Sequence, residues 1–166
     1  MLIALYLIAI VAANLSVAAF GPGVAVVNAF VFIGLDITAR DSLHERWHGR
    51  YLWRNMAALI LSGSVLSALL NWNAAGIALA SCIAFAGAGV ADTLVYAALG
   101  ERSRLLRING SNVVSAAVDS LLFPALAWGF PLLWGVVLGQ FAAKVLGGAL
   151  WAWVLNRRGV ELERAG

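Results

Sequence analysis

Residues 75–99 read AGIALASCIAFAGAGVADTLVYAAL, a run of small and apolar side chains with a single charged residue, Asp92. Gly100 ends the run, and Glu101-Arg102-Ser103-Arg104-Leu105-Leu106-Arg107 follows at once. A helix that crosses the hydrocarbon core needs about 20 predominantly apolar residues. Residues 75–99 supply that length, and the basic segment behind them reads as a loop in water. The stretch therefore predicts a transmembrane helix, and the rest of the chain can be divided by the same rule.

Working towards the N-terminus, breakers mark three more spans. The first is expected from about Leu2 to Ala19, before Gly21-Pro22-Gly23, and the second from about Val24 to Thr38. A polar segment, Arg40 to Arg54, separates these from a third span over about Asn55 to Leu70, closed by Asn71-Trp72-Asn73. Towards the C-terminus, a fifth span is expected from about Gly110 to Trp128 and a sixth from about Leu132 to Leu155, with Gly129-Phe130-Pro131 between them. The fold class is thus an all-α integral membrane protein, residues 1–166 forming one domain of six transmembrane helices. Composition agrees: 63% of the residues are hydrophobic and 11% charged, against about a quarter charged in soluble domains. The first run has neither a basic leader nor a convincing cleavage site, so no cleaved signal peptide is expected. The single cysteine, Cys82, allows no intrachain disulfide.

The charges orient the bundle. Every arginine lies after the second, fourth or sixth span, and the turns after the first, third and fifth carry no charge. Cytoplasmic loops carry the Lys/Arg excess, so both termini are expected in the cytoplasm, with the protein in the cytoplasmic membrane. Trp72, Trp128 and Trp134 sit where interfacial aromatic residues belong. The formal net charge of +3 is explained by those loops, and no nucleic-acid partner is expected.

Polar residues inside the spans point to function. A charged group at the bilayer centre costs about 2.5–3.5 kcal/mol on insertion scales, so such groups face the bundle interior and are usually functional. Asp119 lies mid-way along the fifth span and Lys144, the only lysine, mid-way along the sixth. Asp92 lies in the inner half of the fourth and Asp36 at the inner end of the second, while Asn14, Asn28, Asn112 and Gln140 add uncharged donors and acceptors. Asn112, Ser115 and Asp119 are spaced by three and four residues and should share a face, as should Gln140 and Lys144. An Asp119–Lys144 pair that merely locks helices is the simpler reading. The neighbouring amides favour instead a site for a planar, polar, mostly uncharged solute, with Phe85 or Phe123 stacking on it. Asn28 to Asp36 and Asn112 to Asp119 occupy corresponding places, which suggests two inverted halves of three helices.

His44-Glu45-Arg46-Trp47-His48 matches the H-E-x-x-H zinc-protease pattern. It falls in a short arginine-rich loop with no evident third ligand, which a catalytic zinc site requires. No metal, cofactor or enzymatic activity is therefore expected, and a membrane zinc protease is the remote alternative.

Several segments together resemble the queuosine precursor transporters, also called the vitamin uptake transporter-like family. The segment Val31-Phe32-Ile33-Gly34-Leu35-Asp36-Ile37-Thr38-Ala39-Arg40-Asp41 resembles their second-helix signature. Asn14-Leu15, the stretch Ser111 to Phe123 with Ser115, Asp119 and Ser120, and Gln140-Phe141-Ala142-Ala143-Lys144 resemble, in order, further motifs of that family. The resemblance implies import of 7-deazaguanine bases such as preQ0 or preQ1. A guanine-like edge presents adjacent N–H donors to a carboxylate, much as acidic side chains read base donors. Asp119 suits that edge, Gln140 or Lys144 suits the carbonyl, and Asn14 and Asn28 suit a ring substituent. The expected partners are then a purine-like base and the lipid bilayer, with a homodimer an allowed assembly. The alternative is a substrate-binding subunit that needs a separate ATP-driven module.

Overall fold

The computed structural model describes residues 2–32 and 51–157. These form helices α1 (Leu2–Phe20), α2 (Pro22–Phe32), α3 (Leu52–Leu70), α4 (Ala75–Ala98), α5 (Arg104–Trp128) and α6 (Trp134–Arg157). No strand occurs among the described residues. The spans Ile3–Phe20, Trp72–Ala98 and Asn109–Trp128 are long and apolar enough to cross a membrane, and α2, α3 and α6 contain shorter apolar stretches. Asp36 and the His44–His48 segment lie outside the described residues.

The breakers act where their chemistry requires. Gly21 takes φ 80, a conformation that costs glycine little, and Pro22 opens α2, where its missing N–H is no loss. The Asn71 side chain accepts a hydrogen bond from the Asn73 backbone N–H at 3.0 Å, which turns the chain into a short 3-10 segment, Trp72–Ala74, ahead of α4.

One boundary corrects the sequence expectation. The segment from Arg104 to Arg107 is the first turn of α5, not a loop, so α5 begins six residues before Gly110. Gly110 lies inside the helix and sits against a neighbour. A Cβ there would approach Leu99 Cδ1 to 3.0 Å.

The packing order is a ring. α1 packs on α3, α3 on α4, α4 extensively on α5, and α5 on α6. Val26 of α2 fills the space beside Gly139 of α6, and Asn28 of α2 bonds to α1, which closes the circle. α1 also touches α4 across it.

Small residues set the close approaches, as is usual between helices in membranes. A Cβ at Gly63 would lie 2.8 Å from Ile10 Cγ2 and 3.2 Å from Ile10 Cβ, whereas one at Gly76 would meet nothing within 4 Å. The Ile10 Cβ is fixed to its backbone and cannot swing aside. Gly63→Ala is therefore expected to destabilise the protein by about 1–3 kcal/mol through overpacking. Gly76→Ala should be neutral or slightly stabilising. Thermal unfolding in detergent checks both, and equal midpoints for the two variants would refute the packing argument.

Candidate functional site

The centre of the site is Lys144 on α6. Its ammonium donates to Asp119 Oδ2, to Ser120 Oγ at 3.2 Å and to Gln140 Oε1 at 3.4 Å. The Asp119 and Lys144 side chains are 14% and 12% exposed. Asp119 and Ser120 are adjacent on α5, while Gln140 and Lys144 are four apart on α6 and so one above the other. The pair therefore bridges α5 and α6, as their shared depth led one to expect. An ammonium has three donors, and all three are engaged here.

That arrangement orients Gln140. With its oxygen held towards the ammonium, the amide nitrogen must point away, because the reverse orientation would set NH2 against NH3+. Gln140 is 2% exposed and its Nε2 is buried with no hydrogen-bond partner. Buried donors are seldom left unmade, since an unsatisfied one costs about 1–3 kcal/mol. The site thus holds one aimed, unused donor beside a charge-balanced pair.

Two further features shape the α5 wall. Ser120 is fully buried, and Pro124 one turn later is among the largest fully buried side chains. Proline has no N–H to offer the carbonyl of Ser120, so the helix is loosened beside the site. Phe123 is turned edge-on against Trp128, with centroids 5.4 Å apart and planes at 81°. It forms an aromatic pair there.

The other expected residues distribute as follows. Ser115 is buried on α5 and Phe85 is half-buried on α4. Asn112 is exposed, which corrects its expected place in the interior. The buried polar face runs instead through Ser111, Ser115 and Ser120, because helices in contact interdigitate along rows of about four residues that drift around the axis. Asn14 is 3% exposed and donates to Ser67 Oγ at 3.1 Å, and Ser67 in turn donates to the Gly63 carbonyl at 2.8 Å. Asn28 donates to the Ala13 carbonyl at 3.2 Å and to Ser16 Oγ at 2.8 Å. These two amides tie α1 to α3 and α2 to α1. Ser67 is not among the residues singled out from sequence, although the Gly63/Ser67 spacing on one face of α3 is a signal for it, and Ser120 enters there only through the family-like motif. Asp92 is half-buried on α4, bonds to none of the cluster, and has a buried Oδ1 without a partner. No group of three or more metal-ligating side chains occurs among the described residues.

A family model described as "putative vitamin uptake transporter" matches residues 2–156. The chain belongs to this family. The match covers all six helices and nearly the whole chain, so the ordered set of motifs in the sequence was a true family signal. No curated protein and no solved structure matches the chain. As a member of the vitamin uptake transporter family with several apolar helices, it is a multi-pass membrane protein. Asp119 lies in the apolar span Asn109–Trp128 and Lys144 in the shorter apolar helix Trp134–Leu150.

Proposed function

We propose that this vitamin uptake transporter imports a queuosine precursor, a 7-deazaguanine base such as preQ0 or preQ1, across the cytoplasmic membrane. The observation that carries the reading is the unused Gln140 Nε2 beside the paired Asp119 and Lys144. A neutral pair suits a neutral base such as preQ0, whereas the aminomethyl group of preQ1 is protonated at pH 7 and would need an acceptor of its own. Asp119 Oδ1 and the remaining lone pairs of its carboxylate can accept the adjacent N–H groups of a guanine-like edge. Gln140 Nε2 can donate to the ring carbonyl. Lys144 is then an orienting group, because its three donors are already taken. The ring would lie between α5 and α6, with Ser115 and Phe85 as candidates for its flank. Asn14 and Asn28 support the helices around the site.

Uptake of a labelled 7-deazaguanine base into proteoliposomes that contain only this chain tests the proposal. Saturable uptake supports it. Binding without uptake, converted to uptake by an ATP-driven partner, would mean that the chain is a substrate-binding subunit instead.

The proposal includes six spans with both termini in the cytoplasm. A cysteine placed at Gly23 or Trp72 should then react with an impermeant thiol reagent from outside, and one at Ser103 should not. Labelling at Ser103 alone would reverse the orientation.

A further inference from the structure

We infer that Asp92 carries the proton that couples movement of the base to the transmembrane proton gradient, an inference that rests on the transporter reading above. Asp92 Oδ1 is buried on α4 with no hydrogen-bond donor. The other mid-helix carboxylate, Asp119, has its charge answered by Lys144. Asp92 has no such answer. On the helices packed against α4, the ionisable side chains among the described residues are Asp119 and Arg107 of α5, Arg54 of α3 and Tyr6 of α1, together with Cys82 and Tyr96 on α4 itself. Arg107 lies over the Tyr96 ring at 4.0 Å, Arg54 lies over the Tyr51 ring at 4.1 Å, and Asp119 is held by Lys144. None of them forms an ion pair with Asp92.

The position fits coupling. Gly110 faces Leu99 and Gly87 faces Leu122, which fixes the antiparallel register of α4 and α5. Asp92 is then level with about residue 117 of α5, within roughly one helical turn of Asp119 along the bundle axis. Helical side chains lean towards their helix N-terminus, so the carboxylate lies over Ala88 and Gly89. A Cβ at Gly89 would meet nothing within 4 Å, so no described side chain packs against the helix surface at that level.

The chemistry is a simple exchange. From the side richer in protons the carboxylate takes up one proton and becomes a neutral acid, and on the other side the same O–H bond breaks and the proton leaves. No electrons move. An unpaired charge is costly to hold in a bilayer, so the neutral acid is the form in which the site can rearrange around the base, giving one proton per base.

The test uses the full chain in proteoliposomes with labelled preQ0. Two assays are needed, counterflow exchange at equal pH and accumulation under a one-unit gradient, acid outside. The parent should do both, with accumulation up to about tenfold at one proton per base. Asp92→Asn should keep exchange within about twofold and lose accumulation entirely, and Asp92→Glu should restore it. Adding preQ0 to parent vesicles should also make the external medium more alkaline, a reading that does not depend on any variant folding. Accumulation by a folded Asp92→Asn protein, loss of its exchange together with accumulation, or no proton movement in the parent would overturn the inference. A parent that fails even to exchange preQ0 would instead overturn the transporter reading and take this inference with it.

Discussion

Lys144→Met is expected to lower stability by about 3–5 kcal/mol, because it leaves the Asp119 carboxylate buried without its counter-charge. The lysine stem is replaced at similar length, so the loss is electrostatic and not a cavity. Ser120 Oγ and Gln140 Oε1 lose a donor at the same stroke. The double variant Asp119→Asn with Lys144→Met removes both charges and should recover most of the loss. Thermal unfolding of parent, both single variants and the double variant gives the coupling between the two positions. A Lys144→Met protein as stable as the parent would show that the ion pair contributes nothing, and with it would go the claim that the pair organises the site.

Asp119→Asn is the second large effect, and it acts on binding. The asparagine oxygen can still accept from Lys144, which keeps the cluster assembled and places the new NH2 where Oδ1 had been. That group then confronts the N–H donors of the base. The loss of a charge-assisted hydrogen bond is worth about 1.5–3 kcal/mol, so affinity for preQ0 should fall roughly ten- to a hundredfold. Gln140→Ala removes the aimed donor and should weaken binding about tenfold. Binding measured on well-folded protein of each variant decides the matter. Undiminished affinity in both would make the cluster a helix clasp and place the binding site elsewhere.

Much of this was legible in the sequence because hydropathy and helix breakers act locally. Gly21-Pro22 and Asn71 stop or start helices through their own backbone and side-chain chemistry, and their effect is readable without a partner. Gln140 and Lys144 were legible as one face because four residues make about one helical turn. The Asp119–Lys144 pair was legible because each residue lies near the middle of an apolar run, where a lone charge would be intolerable.

Tertiary contacts decided the rest. Gly110 reads as the start of the fifth span, yet the helix runs through it, with Leu99 in the space that its missing side chain leaves. Asn112 fits the spacing of the polar face yet is exposed, since helical rows drift and only the crossing helix determines which residues it covers. Asn14 and Asn28 look like ligand groups in isolation, and their amide nitrogens donate to Ser67, Ser16 and the Ala13 carbonyl on neighbouring helices. The sequence by itself determined where the apolar helices run, though not that Arg104–Arg107 continues α5, and which residues are too polar for lipid, because both follow from local composition. Only the tertiary structure decided which of those polar groups are already satisfied. The unused Gln140 nitrogen and the unpaired Asp92 oxygen emerge from that second question, because a hydrogen bond is a property of two groups brought within reach.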